Sequence, residues 1–357
     1  MAKHRWTETD DRRILEAASE FGPSRVRIAA ALKLPLTAVN NRIEQVLHVR
    51  YREAVDGYHA RMAAQREVAP VSVKRGDIVE VLTMPPAPFV TRIAAPAIKT
   101  AKNAAFTAVV YGDTHVPFHD PAAVRVVQGI AKDVKPDVLL NVGDLVDAWQ
   151  ISRFDKDPTR KDSLQDNIDE ARQHLHEMAQ VVPKSRRVLL EGNHENRLGR
   201  LICSLEGAHR ELPKLRAFQN AMAWPALLEL DGIGFEWVPE RVQSKTPILP
   251  KIITKHGTVV RKWSGATAAG EWAKYGASGL SGHTHRLGHF LHRDHNGTAS
   301  WIETGCTCLL DPPYGTDYDW QQGCVVLSWN ADRRLMQTEV VSMRDGSALY
   351  KGQEYHG

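Results

Sequence analysis

The chain has 357 residues, 43% hydrophobic and 25% charged, with a formal net charge of +4. This is the composition of an ordinary globular protein, long enough for more than one domain. No apolar run approaches the ~18 residues a membrane span needs, and the opening MAKHRWTETDD carries no apolar signal core, so a cytosolic protein with no membrane contact is expected. The four cysteines (Cys203, Cys306, Cys308 and Cys324) are too few and too unevenly spaced for a disulfide framework. Cys306 and Cys308 could take a soft metal, but no second pair accompanies them, and all four are read as reduced structural thiols.

The charge is concentrated at the front. Residues 1–66 hold twelve Lys/Arg against eight Asp/Glu, a net +4, which leaves the remainder formally neutral. A basic module before a neutral body points to an anionic partner.

Residues 6–54 read as three short helices. In the first, Thr9 or Asp10 serves as the cap, and Ile14, Leu15, Ala18 and Phe21 form the apolar stripe before Gly22-Pro23 stops it. Ser24 caps the second, with Ile28, Ala29 and Leu32 inward. After the break at KLP a third helix runs from about Leu36, with Val39, Ile43, Val46 and Leu47 inward and Asn40, Asn41, Arg42 and Gln45 on the other face. That face can set amide and guanidinium groups against base edges and phosphates. LKLPLTAVNNRIEQ resembles the turn and recognition helix of helix-turn-helix and Myb-like domains over about fifty residues. The alternative is a three-helix bundle that meets a protein. Residues 48–68 read as a charged extension, and the Pro-rich TMPPAPFVTRIAAP as a linker, giving domains at 1–68, 69–104 and 105–350.

From residue 105 the texture changes. AFTAVVYGDTH, PDVLLNVGDLVD, RRVLLEGNHE and GASGLSGHTH share one plan: a short apolar run, a Gly, then Asp, Asn or His. Such runs read as buried strands, and the stretch 162–182, with Leu164, Ile168, Ala171, Leu175, Met178 and Val182 recurring at helical spacing, as a helix between them. His174 and His176 on that helix read as solvated. This is an α/β pattern, in which functional groups gather beyond the carboxyl ends of the strands. In an extended strand end residues i and i+2 point the same way, so Asp113 pairs with His115 and His283 with His285. Asp144, Asn193, His194 and His256 of TKHGT complete the set. Carboxylates with several neutral imidazoles suit a pair of borderline divalent ions rather than calcium or a thiolate zinc site. Two such ions can hold phosphate oxygens and lower the pKa of a bridging water.

D-x-H, G-D-x-x-D, G-N-H-E, a lone H-G and G-H-x-H, in this order, resemble the calcineurin-like metallophosphoesterase superfamily over roughly residues 105–310. The resemblance implies a four-layer α/β/β/α sandwich, with the late stretch from TASWIET to LMQTEVVSM in its second sheet. It also implies that Asp113, His115 and His285 hold one metal, that Asn193, His256 and His283 hold the other, and that Asp144 bridges both. His194 corresponds to a non-ligand histidine that protonates or stabilises the leaving group while a metal-bridging hydroxide attacks in line. Ala148 stands where protein phosphatases of the superfamily have a phosphate-clamping arginine; Arg197 is the nearest substitute, and Asp147 is read as orienting a neighbour. GNHENR, WIETGC and YDWQQG resemble phage and prophage members. The expected activity is hydrolysis of phosphoester bonds in nucleic acid, a DNA nuclease or DNA-end phosphatase using two divalent ions, Mn²⁺ first and Fe, Zn or Ni as options. The alternative is a nucleotide phosphatase or cyclic phosphodiesterase whose front helices bind a protein.

Weaker features are His289, His292 and His295, read as strand histidines of a hairpin turning at Asn296-Gly297. Arg261, Lys262, Trp263 and Ser264 read equally as a grip on a phosphodiester and as a helix-capping loop.

Overall fold

The computed structural model describes residues 6–21, 25–47, 49–55, 106–205, 207–295, 297–315, 317–330 and 335–357. Two compact units divide the chain, Met1–Thr83 and Met84–Gly357. The Ser24 cap, the extension beyond residue 55 and the linker at 69–104 lie outside the described residues.

In the first unit, α1 (Glu8–Phe21), α2 (Arg25–Leu32) and α3 (Leu36–Arg42) are present, and α3 continues as a π-turn over Ile43–Leu47. The cap of α1 is Thr7, not Thr9 or Asp10. The Thr7 hydroxyl accepts from the Asp10 amide at 3.2 Å while the Asp10 carboxylate accepts from the Thr7 amide at 3.1 Å, a reciprocal capping box. Ile14, Ala18, Ile28, Val39, Ile43 and Leu47 share one core. Val46 does not join it and stands exposed. In the wider π-turn the buried side chains recur every four residues, at 39, 43 and 47, which carries position 46 off the seam.

The second unit carries two sheets. The larger has β1 (Phe106–Tyr111), β2 (Val138–Asn141), β3 (Arg186–Leu190) and β4 (Glu236–Val238) in parallel register, extended on the other side of β1 by antiparallel β9 (Gly323–Asn330), β10 (Leu335–Arg344), β11 (Ser347–Tyr350) and β12 (Gln353–His356). The smaller orders β5 (Ile253–Lys255), β6 (Gly279–Ser281), β8 (Gly297–Thr304) and β7 (Leu287–Asp294). Alternation along β1 explains the layering. Phe106, Ala108 and Val110 face Leu280 and Ile302 of the smaller sheet, while Val109 and Tyr111 face α4 (Pro121–Val134) and α5 (Leu164–Val181). A later helix, Ala266–Tyr275, covers the outer side of the smaller sheet, where Tyr275 stacks on Trp301 at 5.5 Å. The four-layer α/β/β/α expectation is met.

Three expectations change. The stretch LMQTEVVSM, as β10, belongs with β9 to the larger sheet; only TASWIET, as β8, lies in the smaller. Apolar strands read alike whichever sheet they join, and pairing is decided by residues far apart in sequence. The body also continues past residue 350: Tyr355 of β12 packs in the helix-side core, and its hydroxyl donates to Asp133 of α4 at 2.9 Å. Finally, the hairpin register pairs Asp294 with Gly297, so Gly297 opens β8 instead of standing in the turn, and Asn296 lies outside the described residues.

Candidate metal centre

Five loops meet beyond the carboxyl ends of β1, β2, β3, β5 and β6, strands drawn from both sheets. Each of the five chemical motifs lies on one of them. The chain leaves each strand abruptly rather than in extended form: Asp113, His115, Asp144, His283 and His285 have φ of 47°, 51°, 50°, 73° and 57°. The left-handed backbone, costly for residues other than Gly, therefore recurs at the candidate ligands, as it does at functional sites generally. Asp113 and His115 come together as expected, through left-handed turns instead of strand alternation, whereas His283 and His285 go to different donor sets. The glycines beside them have a steric role. A Cβ on Gly192 would overlap the Asp144 carboxylate and backbone, and one on Gly282 would overlap the Asp113 carboxylate.

The side chains form two adjoining donor sets. One donor atom each from Asp113, His115 and His285 lies within 4.8 Å of the others, and the same holds for Asp144, His256 and His283. His115 Nε2 and His285 Nε2 stand 2.9 Å apart, with Asp113 Oδ1 3.4 Å from the latter. Asn193 joins the second set, its Oδ1 3.0 Å from His256 Nε2. Asp144 Oδ2 lies 3.3 Å from His256 Nε2 and 3.7 Å from His115 Nε2, between the two sets. The side chains thus group as the motifs divide them, with Asp144 in the middle. Imidazole nitrogens converging on carboxylate and amide oxygens, with Asn193 and His283 half-buried and the rest buried, form a donor set suited to borderline divalent ions.

Electrostatics sharpen the fit. Burial alone would raise Asp144, yet His256 and His194 hold it well below the usual carboxylate range. Burial would lower His256, but Asp144 outweighs it and lifts His256 to about 10. Burial with His194 beside it lowers His115 to about 4. The acids thus demand positive charge at the centre, which neighbouring imidazolium or a divalent cation can supply. His256 is held in a fixed orientation by its Nδ1, which donates to the Val142 carbonyl at 2.9 Å and so leaves Nε2 facing Asp144 and Asn193.

His194 belongs to neither donor pair named above. Its Nδ1 sits 2.8 Å from the Asp147 carbonyl and its Nε2 2.8 Å from Arg197, whose other guanidinium nitrogen donates to that same carbonyl at 2.6 Å. Burial opposes protonation of His194, and Asp144 and Asp147 overcome it, so its pKa is raised. Asp147 Oδ1 lies 3.3 Å from His194 and 3.5 Å from His115, within reach of both rings. Arg197 lies in the first turn of a helix (Asn196–Cys203), with its guanidinium against His194.

Glu195 was not singled out by its sequence context, although it closes the G-N-H-E string. It is fully buried, and its carboxylate accepts from the amides of Asp144 at 3.0 Å, Val146 at 2.9 Å and Gly192 at 2.8 Å, clamping the second and third loops together. Burial and then Asp144 push its pKa up to about 7. Gln243 likewise accepts from the His256 amide at 2.8 Å. His285 carries Trp320 against its ring at 4.1 Å and Cys308 Sγ 3.7 Å from its Nδ1. The RKWS segment leads into the helix Ala266–Tyr275, whose first amides are met by Glu303, while Trp263 remains exposed.

In the front unit Asn41 and Gln45 are exposed and Asn40 is half-buried. Arg42 is engaged internally: Nε and Nη2 both donate to Asp11 at 2.7 Å, tying α3 to α1. Its guanidinium is therefore occupied in the module rather than displayed with its neighbours. His174 is also placed differently from expectation. It is buried beside Ala171 and Met178, 3.3 Å from the Tyr111 hydroxyl, whereas His176 is solvated.

The model of the calcineurin-like phosphoesterase family matches residues 106–287. The chain belongs to that family. A gene 54 protein of Mycobacterium phage L5 is 30% identical over 253 residues, covering 67% of this chain and 94% of its own length. The gene 54 protein of Mycobacterium phage D29 is 28% identical over 186 residues, 50% of this chain and 69% of its own. Among solved structures, a dimetal phosphatase from Danio rerio is 12% identical over 66% of this chain and 98% of its own, with a TM-score of 0.33. A zinc-complexed Vps29 from Entamoeba histolytica is 14% identical over 68% of this chain and 96% of its own, with a TM-score of 0.35. The phage relatives agree with the resemblance of GNHENR, WIETGC and YDWQQG to phage members. The protein is a metallophosphoesterase, and no helix among the described residues is long and apolar enough to cross a membrane.

Proposed function

We propose that this protein is a dinuclear, Mn²⁺-dependent phosphoesterase acting on nucleic acid, as a DNA nuclease or DNA-end phosphatase. The observation that carries the reading is the pair of adjoining donor sets sharing Asp144. Divalent ions held there would polarise a phosphoryl oxygen and lower the pKa of a water within reach. The rest is done by the chain. Asp113, His115 and His285 would hold one ion and Asn193, His256 and His283 the other, with Asp144 lying between the two sets. His194 has its Nδ1–H fixed on the Asp147 carbonyl, and in its imidazolium form, favoured by Asp144 and Asp147, it would give the Nε2 proton to the leaving oxygen and return to the neutral ring. Arg197 rests against that Nε2, and an arriving phosphate draws its guanidinium off, clearing Nε2 for proton transfer. Support for nucleic acid comes from the basic front module, with Asn40, Asn41 and Gln45 on one helix, and from arginines beside Asn193.

A second reading has an observation in its favour. Val46 and Val49 are exposed on the front unit and Arg42 is tied to Asp11, which suits a surface that meets a protein and leaves the body to hydrolyse soluble nucleotides. A paired assay separates them: Mn²⁺-loaded protein and its Asp144→Asn variant on bis-p-nitrophenyl phosphate and on labelled single- and double-stranded DNA. Cleavage of DNA that vanishes in the variant supports the first reading; hydrolysis of the small diester with DNA intact supports the second.

A further inference from the structure

Beside Asn193 lies a cavity of about 460 Å³, within the roughly 300–1,000 Å³ usual for ligand sites. Its lining includes Arg153, Arg197 and Arg200 and no acidic residue. Phe154 forms one wall at 61% exposure and Leu201 the other at 42%. Large apolar side chains left this open beside three guanidinium groups mark a surface that awaits an occupant.

The wall that carries Phe154 is held in place. Lys156 Nζ donates to the carbonyls of Trp149 at 2.8 Å and Ser152 at 2.6 Å. Arg160 lies over Trp149 at 4.5 Å and over Phe118 at 4.7 Å, with Nη1 3.7 Å from Asp147 Oδ2. Gln150 is fastened to Asp162 and Asn167 at 2.9 Å each. These contacts close the loop from behind and leave Arg153 and Phe154 facing outward, with the Arg153 guanidinium 5.7 Å from the Phe154 ring. Across the cavity Arg200 makes no ion pair with a carboxylate among the described residues.

We infer that this cavity seats the nucleotide adjacent to the scissile phosphate of a single-stranded nucleic acid, its base stacked on Phe154 and its backbone phosphate met by Arg153 and Arg200. The inference rests on the nucleic-acid reading of the site and adds where the strand runs. Three features select this occupant. Continuity with Asn193 places it next to the reacting phosphate. Cations without acids call for a polyanion, and a flat exposed ring offers a face that any unpaired base can cover. Duplex DNA presents no free base face, so an unpaired strand is required at this position. A phosphopeptide would satisfy the arginines but has no planar group for Phe154.

The test uses the full chain loaded with Mn²⁺ and a labelled single-stranded oligonucleotide, intact or with an abasic residue next to the cleaved bond. Phe154→Ala is expected to lower kcat/KM on the intact strand by about tenfold, mostly through KM, with Phe154→Tyr restoring it. On the abasic strand the wild type loses a similar factor, and the variant loses little more. Replacing both Arg153 and Arg200 by Ser weakens all strands alike and flattens the salt dependence of KM. Nucleic-acid cleavage that is indifferent to Phe154→Ala and to the abasic residue overturns the assignment of the cavity while the nucleic-acid reading stands. Hydrolysis of bis-p-nitrophenyl phosphate or of a phosphoserine peptide with every DNA strand intact overturns both.

Discussion

Replacing Glu195 with Gln is an isosteric change that removes one negative charge from the inside of the site without opening a cavity. In the native arrangement Oε2 accepts from the Asp144 and Gly192 amides and Oε1 from the Val146 amide, at 2.8 to 3.0 Å. A glutamine has one acceptor oxygen. Set on the Asp144 and Gly192 amides, it turns its NH₂ toward the Val146 N–H, donor against donor, in a fully buried spot. An unsatisfied buried N–H costs ~1–3 kcal/mol, and the two remaining bonds lose their charge assistance, so a total of about 2–4 kcal/mol is expected. Because Asp144 hangs from this clamp, Mn²⁺ affinity should also fall by about 10- to 100-fold. Urea unfolding of the metal-free protein and calorimetric Mn²⁺ titration read the two effects. Both should be run at pH 8, where a group pushed up to about 7 is mostly ionised. A Glu195→Gln protein with the wild-type unfolding midpoint and Mn²⁺ affinity would refute the reasoning.

Three further outcomes follow from the same structure. His194→Asn should lower kcat by about 10² to 10⁴ while leaving Mn²⁺ affinity within a few-fold, because His194 serves the proton and not the ions; a matching loss of metal would contradict this. Burial, with His119 near, lowers His174 to about 3 against an ordinary 6.5, so between those pH values the unfolded chain binds a proton that the folded chain does not. Stability supplied here is complete above pH 6.5 and declines by about 1.4 kcal/mol per pH unit below it; His174→Gln should therefore show a shallower loss from pH 6.5 to 5 in thermal unfolding, and equal slopes would count against the burial account. Arg42→Ala should cost the front unit about 1 kcal/mol, read as faster hydrogen exchange across α1 and α3 of the full chain, with unchanged exchange counting against the Asp11 tie.

The body was legible in the sequence because its chemistry is local. Each ligand-bearing motif sits one or two residues past an apolar run, so strand ends and donor atoms could be read together, and the glycines flanking them mark where Asp113 and Asp144 are approached too closely for a Cβ. What the sequence withheld depends on distance along the chain. β9 and β10 read as strands, but only the pairing of β9 with β1, more than two hundred residues earlier, and of β10 with β9 puts them in the larger sheet. Glu195 looks like a polar loop residue until two amides of the second loop, some fifty positions earlier, join the Gly192 amide on its carboxylate. His174 looks solvated on a helical wheel, yet Tyr111 reaches it from β1. Arg42 sits among displayed polar residues on α3 and is turned inward by Asp11, thirty-one positions away. The left-handed turns at the ligands are absent from any periodicity argument, because residues such as Asp and His adopt them only when the surrounding fold compels it.

Counting Mn²⁺ per chain by calorimetry, alongside phosphodiester hydrolysis by the same samples, tests the dinuclear centre most directly. Two ions per wild-type chain are expected, with Asp144→Asn, the residue facing both donor sets, weakening binding at both and abolishing hydrolysis. A wild-type chain that binds a single ion, or an Asp144→Asn chain that keeps two and still hydrolyses, would contradict a shared dinuclear centre.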